Sequence, residues 1–193
     1  MKILFSIGLI ILFSQCTVMK EKSINLKPPI KMYSLIFDPN IDDPCGDARR
    51  VSDIYSIYDA KVKKVNDSLS IKIECHKYRF ANRTVKAIFD IELAGICFSN
   101  INVNTNNTNG KVKEIIEQII LNKSIQILIN GLSLKRYCII MVNEKSLNYS
   151  LLRNGVGKFC THEPYELDWW SECHYKEAME IAKKEKLGIW KDK

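Results

Sequence analysis

The segment that decides the fold is residues 58–75, YDAKVKKVNDSLSIKIEC. Apolar residues alternate with polar ones on both sides of a short polar turn, at Tyr58, Ala60 and Val62 before it and at Leu69, Ile71, Ile73 and Cys75 after it. A period of two is typical of strands that place one face against a core. The segment therefore predicts a β-hairpin with its turn at Asn66-Asp67-Ser68.

The chain beyond this hairpin predicts a third strand and then a helix. Residues 76–86, HKYRFANRTVK, are typical of a basic loop or a hairpin extension, and the mostly apolar residues 87–96 predict a more central strand. An Asn- and Thr-rich loop follows. The next segment predicts an amphipathic helix, because its apolar residues share one helical face: Val112, Ile115, Ile116, Ile119 and Ile120.

The remaining segments complete a mixed fold. Residues 124–129 and 136–142 are isoleucine-rich and predict two strands, while residues 147–154 predict a short helix that Gly155 stops. A last helix ends near Gly188. This order of elements predicts an α+β fold that is mainly β, a five-stranded barrel with about three attached helices.

The N-terminus is typical of a secretory signal. Met1 and Lys2 precede an apolar run too short to cross a bilayer, and small residues follow it. We therefore expect a signal peptide over residues 1–16, an irregular arm over 17–57 and the folded domain over 58–193, in a secreted protein without a transmembrane segment after signal removal.

An alternative for the same N-terminus is a bacterial lipoprotein that is lipid-anchored at Cys16. Five Asn-X-Ser/Thr motifs favour eukaryotic secretion instead, since each is a possible glycosylation acceptor in that pathway. They are Asn66, Asn82, Asn106, Asn122 and Asn148.

Cleavage after Cys16 would leave six of the seven cysteines. An even number in an exported chain predicts disulfides, although fifteen pairings are possible. The six disulfide candidates are Cys45, Cys75, Cys97, Cys138, Cys160 and Cys173. Of these, Cys45 is expected to attach the arm.

Composition gives weaker constraints on function. The chain has 193 residues, of which 46% are hydrophobic, so it can bury a core and wholesale disorder is excluded. Its formal net charge of +7 is compatible with an acidic partner such as nucleic acid.

Three stretches resemble the staphylococcal-nuclease (thermonuclease-like) family, an OB-fold barrel with helices. Residues 60–71, AKVKKVNDSLSI, are similar to the family's first hairpin, whose turn reads Asp-Gly-Asp-Thr. Residues 147–155, LNYSLLRNG, resemble its Val-Asn-x-x-Leu-x-x-x-Gly helix, and residues 182–190, AKKEKLGIW, resemble its closing helix with Gly-x-Trp. The similarity covers roughly residues 58–191.

The resemblance implies calcium-dependent phosphodiester hydrolysis by two aspartates, a glutamate and two arginines. At the metal positions the chain has Asp67, Leu69, Ser70 and Cys97; at the phosphate-binding and catalytic positions it has Glu92, Asn100 and either Lys135 or Arg136. The Leu69 side chain has no oxygen for calcium, and Asn100 cannot act as a general base. Glu92 would repel a polyanion. The sequence therefore predicts that nuclease catalysis has been lost and that no cofactor is needed.

Three surfaces remain as binding candidates, and the third, the lysine-rich last helix with Lys183, Lys184 and Lys186, is best explained by a solvated helix face. The basic segment carries Lys77, Tyr78, Arg79 and Arg83, which mix cations and aromatics as single-strand binders do, although a solvated loop explains them too. Trp169 and Trp170 lie between Cys160 and Cys173, where they could anchor a partner or cover the end of the barrel.

The leading hypothesis is a secreted, disulfide-stabilised binding protein with a nuclease-like fold, whose partner is a protein or a nucleic acid. The alternative from another class is an extracellular calcium-dependent nuclease with an altered site around Asp67, Glu92 and Arg136.

Overall fold

The computed structural model describes residues 30–33, 45, 55–80, 83–98, 108–130, 137–161 and 167–191. Within these ranges the fold is α+β and mostly sheet. The strands are β1 Tyr55–Val65, β2 Ile71–Phe80, β3 Arg83–Leu93, β4 Ile96–Cys97, β5 Ser124–Asn130, β6 Tyr137–Val142, β7 Lys145–Ser146 and β8 Lys158–Phe159. The helices are α1 Thr108–Ile120, α2 Leu147–Arg153 and α3 Trp169–Lys184, followed by a 3₁₀ turn at Gly188–Trp190. The predicted mixed fold with three helices is confirmed.

The hairpin predicted from residues 58–75 is formed by β1 and β2. These strands pair antiparallel, with Ala60 opposite Cys75 and Val65 opposite Ile71. The alternation places Val62 and Ile73 in the core with no exposed surface. β1 begins at Tyr55, three residues before the predicted start at residue 58, because the pairing with β5 continues to that residue.

The larger sheet has six strands in the order β3-β2-β1-β5-β6-β7. A short parallel pairing joins β3 to β6, with Glu92 opposite Tyr137 and Leu93 opposite Cys138. The hydrogen bonding therefore runs as a ring through β1, β2, β3, β6 and β5. Residues 76–80 and 83–86, predicted as a basic loop or hairpin extension, continue β2 and β3.

The helices close the core from outside the sheet. α1 contacts β1 and buries Val112, Ile115, Ile116 and Ile120 on one face, as the spacing predicts. α2 packs against α3, and a bidentate ion pair from Arg153 to Glu185 joins their C-terminal ends at 2.7 and 2.8 Å. At the start of α3, Asp168 accepts a hydrogen bond from Ser171 N at 2.8 Å, which caps the helix.

The loop after α2 lies directly against the C-terminal tail. Ile189 N donates to Gly155 O at 2.9 Å. A Cβ at Gly188 would lie 2.1 Å from that oxygen, and one at Gly155 would lie 2.3 Å from Leu187 O. Both glycines also have a positive φ, which is 66° at Gly155 and 52° at Gly188. Only glycine allows two backbones to approach this closely.

The arm before β1 is attached to the helices at its described residues. Tyr33 N donates to Ser150 Oγ at 2.9 Å, and Asn154 Nδ2 donates to Lys31 O at 2.8 Å. A disulfide joins Cys45 to Cys173 of α3, as expected for Cys45. The predicted signal peptide, residues 1–16, lies outside the described residues. None of the described helices combines the length and apolarity needed to cross a bilayer.

Candidate functional site

The first predicted metal position, Asp67, is neutralised by a cation from α1. Lys113 Nζ lies 2.7 Å from Asp67 Oδ1, and the Asp67 side chain is otherwise open to solvent. This hydrogen bond and charge lower the pKa of the Asp67 carboxyl. The contact joins the β1–β2 turn to α1, so the aspartate has a structural ion pair in the folded chain.

The second predicted metal position, Leu69, belongs to the core. It has a φ of 65°, and its N–H donates to Asn66 O at 2.9 Å, which closes the hairpin turn. The turn directs its side chain inward, where only 7% of the residue is exposed. Ser70 is used in the same turn, since its hydroxyl accepts from Asn66 Nδ2 at 2.8 Å.

The predicted phosphate-binding position, Glu92, lies at the junction of β3 and β6. It is exposed and stands opposite Tyr137 in the parallel pairing. Burial raises the pKa of the Tyr137 hydroxyl, and the charge and hydrogen bond of Glu92 raise it further. Glu92 therefore places a negative charge beside a buried tyrosine at this junction.

Cys97, the remaining predicted metal position, forms a disulfide with Cys160. The bond follows from strand pairing, because β4 and β8 lie antiparallel with Cys97 opposite Lys158. Cys160 N also donates to Gly95 O at 3.3 Å. A disulfide sulfur carries no thiolate for a metal, so Cys97 serves as a covalent link between β4 and the residue that follows β8.

Several other predicted site residues fall on the strands β2 and β3 or lie beyond the described ranges. Asn100, Lys135 and Arg136 lie outside the described residues. Lys77, Tyr78 and Arg79 are placed by backbone in β2, and Arg83 begins β3. The basic segment is thus carried on two paired strands, with Tyr78 opposite Val85 and Arg79 opposite Thr84.

The tryptophan pair is divided between solvent and core. Trp169 is 50% exposed, whereas Trp170 is 1% exposed and packs edge-on against His174 with ring centroids 4.2 Å apart. The first turn of α3 directs Trp170 into the core, as the alternative of a covering side chain requires. Trp169 keeps the exposure that a binding role requires.

Two of the six disulfide candidates are thiols in the structure. The described disulfides are Cys45–Cys173 and Cys97–Cys160. Cys75 and Cys138 lie fully buried on the inner face of β2 and β6. Burial strongly raises the pKa of the Cys138 thiol. Because both side chains point into the core between apolar residues, they act as small hydrophobic groups.

The sequence presents Asn148 as a glycosylation candidate and as the asparagine of the Val-Asn helix motif, but its structural role was not predicted. It is completely buried at the start of α2. Its Nδ2 donates to Ala94 O at 2.9 Å and to Cys138 O at 3.0 Å, and its Oδ1 accepts from Ile140 N. The available signal was its place among the apolar residues Leu147, Leu151 and Leu152, which predicts an inward-facing position.

Sequence reasoning also missed a charged cluster around Glu74 on the outer face of β2. Lys63 and Lys86 from the neighbouring strands form ion pairs with this carboxylate, and His76 Nε2 lies 3.4 Å away. Hydrogen bonds from the two lysines hold the pKa of Glu74 at about 2. The side chain is 8% exposed, so the long lysine side chains cover it.

Comparison with protein-family models gives no match, and a search of the curated proteins gives none either.

Proposed function

We propose that this chain is a secreted, nuclease-like OB-fold protein that does not hydrolyse phosphodiesters and instead acts by binding a protein or nucleic acid partner. The observation that carries the proposal is the burial of Leu69, which fills a predicted metal position with a core side chain. A ring of five strands with attached helices is compatible with an OB-type barrel.

The state of the other predicted metal positions supports the same proposal. Calcium requires several oxygen ligands arranged around one point. Asp67 is paired with Lys113, and Cys97 is bonded to Cys160. A calcium site at these positions would require the Asp67–Lys113 ion pair and the Cys97–Cys160 disulfide to be broken.

Electrostatics at the phosphate position argue in the same direction. A transferring phosphoryl group needs positively charged donors where charge develops. Glu92 supplies a negative charge there, next to the buried Tyr137 hydroxyl. This arrangement would weaken the binding of a phosphodiester substrate at the nuclease position.

The β2–β3 hairpin is the surface that we propose for binding. Residues 76–86 contain the cations Lys77, Arg79 and Arg83, besides Lys86, which is paired with Glu74, and they contain no carboxylate. Ile88 follows on β3 and is 61% exposed. A hairpin that carries cations together with an exposed apolar side chain suits an acidic partner with an apolar component.

The test uses oxidised chain 17–193 with fluorescent single-stranded DNA and RNA, with and without calcium. Cleavage is followed on gels, and binding by anisotropy over a series of salt concentrations. We expect intact oligonucleotides in both conditions. Binding that falls steeply with salt would select nucleic acid as the partner, whereas no binding would select a protein partner. Metal-dependent cleavage that Arg136→Ala abolishes would overturn the proposal.

A matched pair of variants locates the surface. Lys77, Arg79 and Arg83 are replaced by alanine in one variant, and Lys184, Lys186 and Lys191 in the other, so both lose three positive charges. If the hairpin is the surface, only the first variant loses oligonucleotide binding or capture of the protein partner. Equal losses would indicate a general effect of net charge and would exclude the hairpin.

A further inference from the structure

We propose that Asn122 is an N-glycosylation acceptor of the folded protein and that Asn148 is not, although both stand in Asn-X-Ser motifs. The inference rests on the export that forms part of the proposed function. In the transfer, the side-chain nitrogen of asparagine bonds to the first sugar of a lipid-diphosphate-linked oligosaccharide. The lipid diphosphate leaves, and the amide loses one proton.

Asn122 has the exposure that such a modification requires. It lies in the turn between α1 and β5, with an exposed side chain and a φ of 61°. Lys123 and Ser124, the other residues of its motif, are exposed as well. Within the described part of the chain no hydrogen bond holds the Asn122 side chain, so a glycan there would displace no contact.

Asn148 differs in every one of these respects. Its Nδ2, the atom that a glycan would occupy, donates to the Ala94 and Cys138 carbonyls inside the protein. The hydroxyl of its motif is also buried, since Ser150 Oγ donates to Ser146 O at 2.6 Å and accepts from Tyr33 N. An oligosaccharide at Asn148 is therefore incompatible with the packing of α2 against β6.

Asn66 is intermediate between these two cases. It is half-buried, and its Nδ2 donates to Ser70 Oγ at 2.8 Å and to Asp90 Oδ1 at 3.1 Å. A glycan there would disturb the β1–β2 turn. Asn82 and Asn106 themselves lie outside the described residues.

The position of Asn122 is compatible with binding through the β2–β3 hairpin. Ser124 stands opposite Lys61 in the middle of β1, in a row that continues through Glu74 to Ile88, and Asn122 lies two residues before it, on the side of the turn at residues 66–70. The basic segment lies at the opposite end of β2. A glycan at Asn122 would therefore leave the cations Lys77, Arg79 and Arg83 open, whereas Ile88 shares its row with Ser124.

The experiment expresses the full chain in a secretory eukaryotic host, once with its own residues 1–16 and once with a host signal in their place. Peptides are mapped by mass spectrometry after an enzyme has converted each glycosylated Asn to Asp. We expect conversion at Asn122 and none at Asn148. An unmodified Asn122, or a modified Asn148 in secreted and disulfide-bonded protein, would overturn the inference.

Matched variants keep the two proposals separate. Ser124→Ala removes the motif without changing the backbone at Asn122, and Ser124→Thr preserves it, so only Ser124→Ala should lose that glycan. If only the version with its own residues 1–16 fails to be secreted, the proposed export is contradicted. The version with the host signal still shows whether Asn122 and Asn148 are glycosylated. If neither version is secreted, the same mapping of chains retained in the cell decides the inference: conversion at Asn122 supports it, and an unmodified Asn122 overturns it.

Discussion

Asn148 donates a hydrogen bond of 2.9 Å to the carbonyl of Ala94, which fixes the loop after β3 against the first turn of α2. The two residues are 54 positions apart in the chain. The same amide also bonds to Cys138 O and Ile140 N on β6. One side chain therefore supports the region where β3 meets β6.

Replacing this amide should be among the most destabilising polar substitutions in the protein. Asn148→Ala leaves three buried backbone groups without that partner, and we expect the free energy of unfolding to fall by about 3 kcal/mol. Urea denaturation measures the loss. Gln126→Ala, at an exposed position on β5, is the control and should change it by less than about 0.5 kcal/mol. Equal effects would show that the Asn148 bonds contribute little.

Gly188→Ala should destabilise the C-terminal tail strongly. The new Cβ would lie 2.1 Å from Gly155 O at a φ of 52°, so both the contact and the backbone conformation are unfavourable. We expect a loss of about 3 kcal/mol, measured by thermal unfolding.

Lys186→Gly tests backbone strain without the close contact. Lys186 has a φ of 52° just after α3, where Leu187 N donates to Ala182 O. Glycine adopts this conformation without a steric cost, so we expect a gain of about 0.5 kcal/mol in thermal unfolding. A lower melting temperature for this variant would contradict the helix-end assignment.

Glu74 should make stability depend on acidity. Its folded pKa of about 2 lies below the ordinary value of 4.5, so its contribution is fully present above pH 4.5 and is lost as pH falls towards 2. The stability difference between the natural protein and Glu74→Gln should therefore narrow across that range. In a protein that also carries Lys63→Met, the stability difference caused by Glu74→Gln should be smaller, because one of the two cations that lower the pKa of Glu74 is absent. A difference that stays constant with pH would contradict the ion-pair cluster.

The thiol count tests the cysteine assignment. Because Cys75 and Cys138 are completely buried, a thiol reagent should leave the native chain 17–193 unlabelled and label two thiols after unfolding without reductant. Four labelled thiols after unfolding would show that one described disulfide does not form.

Replacing both Cys97 and Cys160 by serine should reduce the free energy of unfolding by about 4 kcal/mol, as expected for a long closed loop.

Local sequence patterns predicted most elements because their information lies within a few residues. The alternation in residues 58–75 identified β1 and β2, and the spacing of Val112, Ile115 and Ile116 identified the buried face of α1. The same patterns could not show which of Trp169 and Trp170 is buried, since adjacent residues differ only in which side of α3 they occupy.

By itself the sequence determined the α+β composition, the first hairpin, three helices and the absence of carboxylates at Leu69 and Cys97. Only the tertiary structure decided which cysteines pair, how β3 meets β6 and which Asn-X-Ser motif is buried. The disulfide partners are 63 and 128 residues apart. Such contacts depend on how whole elements pack, whereas periodicity records only which face of one element is apolar.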